Sequence, residues 1–557
     1  MTLPDSELEK VILQRNALSK ENLAVINQFA KTSQITLGAA LVEKGVLTDE
    51  QVGVLMATAY NVPYISLTKL TIPPEIIHII PDRVARRKKI VVYERNATEI
   101  KVAMNDPGDK NLLLLIARKA GLKASVYFAT AKDIDHVLQL NKKVLQKELD
   151  KLLAAARGTI DETPLVKIVD ELIYEAYQGR ASDIHIEPRS DGGTLVRFRI
   201  DGVLQDVAEL PPPLHDRIIA RIKVLSSLRT DEHLSAQDGK MRMSLTEEEL
   251  DIRVSIIPVV DGEKAVLRLL SSRSREFTLT DLGMNEIDLA KVTKAVNKSY
   301  GMILSTGPTG SGKTTSVYAI LKILNTREKN ITSVEDPVEY RVTGANQIQV
   351  NAKTNLSFAS GLRSILRQDP NIILVGEIRD SETAGIAVNA ALTGHLVLST
   401  VHTNDAATTI PRLIDMKIEP YLVGSTINVI IAQRLVRKNC EFCRIATEID
   451  KTELVKNLNT DIVEKYFGTG EKVQVFKGKG CKVCNMTGYK GRLGIFEVLL
   501  IDKEIKKLIL TKTDSDIIAR AAIRQGMTTM LDDGLKKVAK GLTTIEEVIR
   551  VTKVEEL

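Results

Sequence analysis

The sequence contains no tryptophan, and aromatic residues make up 4% of its 557 positions. A protein that binds single-stranded nucleic acid stacks bases on aromatic rings, so such a platform is poorly supplied here. No apolar run approaches the ~18 residues of a membrane span. The opening residues, MTLPDSELEK, lack the basic-then-apolar order of an export signal, and the expectation is a cytoplasmic chain. A net charge of +6 is mild for this length. The basic cluster Arg86-Arg87-Lys88-Lys89 therefore reads as a solvated face, not a nucleic-acid patch. What remains is ordinary globular composition, 44% apolar and 27% charged, in a chain long enough for three or more domains.

Cysteine is scarce too, and all four residues fall in two knuckles, Cys440-x2-Cys443 and Cys481-x2-Cys484, with 37 residues (444–480) between them. Without an export signal a disulfide pairing is disfavoured. A redox role for one knuckle is the alternative, but two knuckles with no cysteine left over suit tetrahedral Zn2+ held by four thiolates. Such a site is closed and structural. The intervening stretch, rich in Lys and Glu, has little apolar content, and metal would fix its ends.

The strongest signal is Gly307-Pro308-Thr309-Gly310-Ser311-Gly312-Lys313-Thr314, of the form GxxxxGK[ST], followed by Thr315. The apolar run Met302–Leu304 before it reads as a strand. Val317, Ile320, Leu321 and Leu324 after it fall at helical spacing. Strand, glycine loop and helix are the context a P-loop needs. Backbone N–H groups curl around a phosphate at the positive end of the helix dipole. Lys313 reaches the β- and γ-phosphates, and the Thr314 hydroxyl holds Mg2+. These residues read as an ATP site.

Two further strands end in acid clusters, which is where an open α/β sheet places ligand chemistry. Ile331–Val334 leads to Glu335-Asp336-Pro337-Val338-Glu339, and Ile372–Val375 to Gly376-Glu377-Ile378-Arg379-Asp380. Gly376 stands where a P-loop enzyme usually has the Asp of the Mg2+ shell, and Glu377 is placed to orient a water. A fourth strand, Leu396–Thr400, lies between His395 and His402. No third ligand accompanies that pair, so metal binding is a weak reading. His402 faces either the γ-phosphate or a subunit boundary; for His395 a buried, satisfied histidine is equally open.

Elsewhere, residues 1–62 read as helical, with a helix start at Thr48-Asp49-Glu50-Gln51. Residues 63–142 read as a small α/β module. Its strands are Ile90–Tyr93, Ile100–Met104 and Ala124–Phe128, its helices Asn111–Ala120 and one from Ala131. Residues 143–160 form a charged linker. Residues 161–273 read as a second α/β domain, with helices Leu165–Tyr177 and Leu214–Leu228. Its strands are Asp183–Ile186, Thr194–Ile200, Leu250–Pro258 and Ala265–Leu270.

Taken together, these stretches resemble the secretion ATPases of type II secretion and type IV pilus assembly, the general secretory pathway E and pilus-extension motor family. The likeness spans essentially the whole chain. It is carried by Ala181–Glu187, Val196–Gly202, the P-loop, Glu335–Tyr340, Val375–Asp380, Thr393–Asp405, Gln433–Arg437 and the tetracysteine loop ending Gly488–Arg492. The Glu in place of Asp after the third strand is a family trait. The resemblance implies a multidomain α/β fold with a RecA-like P-loop core (274–433). A PAS-like domain (161–273) precedes it, after a helical docking domain (1–62) and a small α/β domain (63–142). A zinc subdomain (434–500) and a C-terminal helical region (501–557) follow. It implies a homohexamer peripheral to the inner face of the cytoplasmic membrane. The ring would hydrolyse ATP to work on a membrane platform protein and its cytoplasmic adaptor, and so on pilin or pseudopilin indirectly, with no nucleic acid.

Arg253 and Arg268 match the family's arginine-finger positions, and Glu377 with Glu339 or Glu335 would orient the attacking water. Two departures are visible. His233 and Lys240 stand where the family commonly has arginines. Thr36 and Ala59 depart from the pattern that binds cyclic di-GMP in some relatives, so no cyclic di-GMP binding is expected. Type II secretion is the alternative to pilus assembly. A nucleic-acid-stimulated ATPase and a retraction motor are the remaining classes, and the tetracysteine loop and long N-terminal extension argue against the latter.

Overall fold

The computed structural model describes residues 5–552 except 141–162 and the short stretches 16–17, 34–35, 44–45, 71, 78, 81, 246–247, 272–276 and 456–457. The linker expected at 143–160 thus lies outside the described residues. The chain divides into two compact units, one of residues 1–172 with 244–249, the other of 173–243 with 250–557.

The first unit begins with helices Asp5–Gln14, Lys20–Ser33, Leu37–Glu43 and Asp49–Ala59, which share a core of Leu8, Ile12, Leu23, Leu41 and Val52. The last of these starts where its sequence indicates. Thr48 Oγ1 accepts from Gln51 N at 3.2 Å and Gln51 Oε1 accepts from Thr48 N at 2.8 Å, a reciprocal cap. A three-stranded sheet follows, Ile90–Arg95 antiparallel to Glu99–Met104 and the latter parallel to Lys123–Phe128. Helix Lys110–Ala120 makes the crossover that a parallel pair requires. Much of the basic cluster is spent internally. Arg86 donates to Leu138 O, while Lys88 and Lys89 pair with Asp109 at 3.0 Å and Asp135 at 2.6 Å.

The second unit carries two large sheets, besides a two-stranded ribbon of Arg444–Asp450 with Lys472–Gly478. The first is antiparallel and six-stranded, in the order Val203–Leu210, Thr194–Ile200, Ala181–Pro188, Gly262–Leu270, Glu249–Val259, Gln237–Ser244. Four of these strands are those expected. The two others are the sheet's edges, where most residues are exposed or half-buried, so their alternation in sequence is faint. Helix His215–Leu225 follows the short turn Pro212–Leu214, in line with the break set by the prolines.

The second sheet has seven strands in the order Ala345–Gln349, Ile331–Glu335, Ile372–Val375, Leu396–Val401, Gly301–Thr306, Ile427–Asn439, Tyr489–Leu500. Six run parallel and Tyr489–Leu500 is antiparallel. The strands Gly301–Thr306, Ile331–Glu335, Ile372–Val375 and Leu396–Val401 are buried at every residue. That is what covering both faces of a parallel sheet demands.

Strands Ile427–Asn439 and Tyr489–Leu500 pair along most of their length, so the cysteine segment is an insertion between two neighbouring strands of the main sheet. The boundaries drawn at 433/434 and 500/501 fall inside or at the end of that pair. Leu454, Leu458, Val463 and Val473 of the insertion are buried in the same core as helices Ser515–Arg524 and Met530–Ala539. The stretch therefore has more apolar anchorage than its Lys and Glu content indicates.

Candidate functional site

The glycine loop joins strand Gly301–Thr306 to helix Lys313–Leu324. Gly307 and Gly312 have φ of 143° and 91°, and a Cβ at either would press within 3 Å of Gln433. Only glycine fits there. Lys313 is buried, and its Nζ donates to Gly307 O at 2.8 Å and Pro308 O at 3.1 Å. Burial lowers its pKa, with Glu377 opposing that shift. The cation is thus held over its own loop by acceptors that an anionic ligand can replace. Thr314, at the start of the helix, is exposed and its hydroxyl is open to a metal shell.

Glu377 is gathered to the same place. Its side chain is 12% exposed, Oε2 lies 2.6 Å from Arg379 Nε and 3.4 Å from His402 Nε2. His402 has its pKa lowered by burial and by the Lys313 charge, against the pull of Glu377. Gly376 explains why the acid stands one position later than usual. A Cβ there would meet Glu335 Cα at 3.2 Å and Val334 O at 3.3 Å, so a side chain at the strand end would require its neighbour to give by a few tenths of an ångström. His395, by contrast, caps a helix end, its Nδ1 2.9 Å from Ala390 O.

The two acids of the preceding cluster separate. Glu335 is buried and takes hydrogen bonds from Tyr318 Oη, Ser333 Oγ and Gln347 Nε2. Its neighbours Tyr318 and Tyr340 stack at 4.4 Å. Glu339 is 38% exposed and lies 3.3 Å from Arg253 Nη2, which also donates to Val338 O at 3.0 Å. Arg253 therefore reaches from the antiparallel sheet to the acid cluster of the P-loop sheet.

Strand register places Arg253 opposite Arg268, Arg268 opposite Asp183 and Asp183 opposite Arg199, one charged row across one face. Asp183 is buried and holds Arg268 Nε at 2.9 Å and Arg199 Nε at 3.4 Å. With Glu339 at Arg253, three guanidinium groups face two carboxylates and leave one positive charge in excess, and the like-charged pair Arg253–Arg268 is unfavourable unless an anion offsets it. Arg199 and Asp183 lie in stretches that carried the family resemblance, but the row they join with Arg268 and Arg253 across four strands has no sign in local sequence.

The four cysteines converge. Sulfur separations are 3.9 Å for Cys440–Cys481, 3.9 Å for Cys443–Cys484 and 3.7 Å for Cys481–Cys484, and all four lie within 4.8 Å of one another. A tetrahedron of sulfurs about 2.3 Å from a metal has edges of about 3.8 Å, so the set fits zinc. Burial pushes the Cys440 thiol up to about 12. Cys484 is brought down to about 7 against its burial, since the N–H groups of Cys481 and Gly488 point at its sulfur from 3.2 and 3.3 Å.

Fold and site together define a P-loop ATPase with a RecA-like core. Residues 159–550 match the family described as Type II/IV secretion system protein, and residues 60–143 match the MshEN domain. The chain belongs to the type II/IV secretion system ATPases. It is 37% identical over 562 residues to the type IV pilus assembly ATPase PilB of Myxococcus xanthus, covering 97% of this chain and 98% of that one. It is 44% identical over 395 residues to the type II secretion system protein E of Pseudomonas aeruginosa, covering 71% and 77%. The X-ray structure of the Legionella pneumophila ATPase DotB superposes with a TM-score of 0.50 at 22% identity, over 69% of this chain and 95% of that chain, a likeness of fold. Among the described residues no helix is long and apolar enough to cross a membrane.

Proposed function

We propose that this ATPase is a hexameric motor for type IV pilus assembly, working from the cytoplasmic face of the inner membrane on a platform protein and its adaptor. The observation that carries the reading is similarity to a pilus assembly ATPase over 97% of the chain, N-terminal region included. Type II secretion is the second reading, favoured by the 44% identity to a secretion ATPase over 71% of the chain. Filaments lost from the cell surface on deletion of the gene, with secreted enzymes unaffected, support pilus assembly. The reverse pattern supports secretion.

In the mechanism we propose, the loop from Gly307 to Thr315 cradles the phosphates of ATP, and Lys313 swings from its loop carbonyls onto them. Thr314 would hold Mg2+, which supplies charge neutralisation at the phosphate oxygens. Glu377, steadied by Arg379 and His402, orients the attacking water. Of the two acids nearby, Glu339, half-exposed and paired with Arg253, is the better placed to help, because Glu335 has both oxygens committed to Tyr318, Ser333 and Gln347. Arg253 and Arg268 supply positive charge from the antiparallel domain, so that hydrolysis depends on how that domain sits. The four cysteines hold Zn2+ as a structural centre. A Glu377→Gln protein should bind Mg·ATP and hydrolyse it at least ~100-fold more slowly. A near wild-type rate would refute the assignment.

A further inference from the structure

Beneath the P-loop lies a side chain that the phosphate-binding pattern does not include. Gln433 is buried on strand Ile427–Asn439, which runs parallel to the P-loop strand, and its Nε2 donates to Ser311 O at 2.7 Å. A trans peptide is planar, with C=O and N–H pointing opposite ways. Fixing the Ser311 carbonyl on Gln433 therefore aims the Gly312 N–H away from the sheet strand. The fit around this peptide is close. A Cβ on Gly312 would come within 2.8 Å of Gln433 Nε2, and one on Gly307 within 2.6 Å of the Gln433 carbonyl oxygen. The other amide atom, Gln433 Oε1, is buried without a hydrogen-bond partner.

That last fact separates positioning from stability. An unsatisfied buried acceptor is unfavourable, so the amide adds little net stability through its single bond. A leucine would fill the space and leave no acceptor unpaired. We infer that Gln433 is a positioning residue of the ATP site, holding the Ser311–Gly312 peptide in the orientation that presents the Gly312 N–H to the nucleotide phosphates. The inference rests on the reading of residues 307–314 as the nucleotide cradle.

The test compares Gln433→Leu, Gln433→Glu and Lys313→Ala with the wild-type chain by calorimetric titration with Mg·ADP, ATPase kinetics and thermal melting. Gln433→Leu should weaken ADP binding and raise KM for ATP by about tenfold, the effect of one hydrogen bond. Its kcat should change far less, and its Tm should stay within about 2 °C of wild type. Gln433→Glu should bind ADP more weakly still at pH 8, because a carboxylate repels the Ser311 carbonyl. Its affinity relative to wild type should recover as the pH falls towards 5 and the protonated carboxyl can donate. Wild-type affinity in Gln433→Leu, or in Gln433→Glu at pH 8, overturns the inference, as does a fall in Tm with parallel loss of kcat and no change in KM. Undiminished binding in Lys313→Ala overturns the cradle reading itself, and the two failures are told apart by which variant shows them.

Discussion

Glu547, on the last helix, Ile545–Thr552, allows a quantitative test of how the cysteine insertion is rooted. Its side chain is 2% exposed and takes hydrogen bonds from Arg437 N at 2.9 Å, Arg437 Nη2 at 2.7 Å, Arg550 Nε at 3.0 Å and Arg550 Nη2 at 2.8 Å. Burial alone would raise its pKa; the bonds from Arg550 and Arg437 outweigh that and hold it at about 2, against an ordinary 4.5. A folded pKa below the unfolded one means stability present above pH ~4.5 and lost as the pH falls through ~2. At 1.36 kcal/mol per unit the contribution is about 3 kcal/mol at pH 7, falling to about 1.5 kcal/mol near pH 3. Arg437 also lies 4.2 Å over the Tyr489 ring, so the carboxylate fixes both strands that lead into the cysteine loop. Urea denaturation of Glu547→Gln beside wild type, at several pH values, measures the difference directly. A destabilisation of about 3 kcal/mol at neutral pH should shrink on acidification. A difference below ~1 kcal/mol at pH 7, or one that does not change with pH, would show that the ion pairs contribute no more than exposed ones.

Arg253→Ala should lower kcat by roughly 100-fold or more while leaving ADP affinity within about threefold. Arg253→Lys should not restore the rate, since a guanidinium bridging Val338 O and Glu339 has no ammonium equivalent. Equal loss in kcat and ADP binding would count against a role in the transition state. Metal analysis of the purified chain should find about one zinc per chain, absent from Cys481→Ser. Chelation should expose residues 440–488 to protease while nucleotide binding persists. A metal-free chain whose proteolysis pattern ignores chelator would remove zinc from the account.

Much of the fold was legible because its signals are local. Thr48 and Gln51 stand three residues apart and cap the same helix turn. The strands at 302–304 and 372–375 announce themselves as continuous apolar runs, and those at 331–334 and 396–400 as short β-branched and apolar stretches with Ser and Thr, since a parallel sheet buries both faces. Of the strands overlooked, 203–210, 237–244 and 345–349 are sheet edges whose residues are mostly exposed or half-buried, whereas 427–439 and 489–500 are mostly buried and, like the ribbon 444–450 with 472–478, are paired only through tertiary structure. An edge exposed that way carries a weaker pattern.

The sequence by itself determined the chemistry on offer. The glycines and lysine of the P-loop, the acids at strand ends and the four thiols are short motifs whose spacing answers to backbone geometry within a few residues. The tertiary structure alone decided which groups share a site and which are already spent. It tied Glu335 to Tyr318 and left Glu339 to Arg253, packed Gly376 tightly against Glu335, aligned Arg199, Asp183, Arg268 and Arg253 in one row, and set Gln433 under Ser311. Each of these depends on register and on contacts between residues far apart in the chain, and pairing of that kind is fixed by the packing of whole sheets, not by any stretch of sequence read alone.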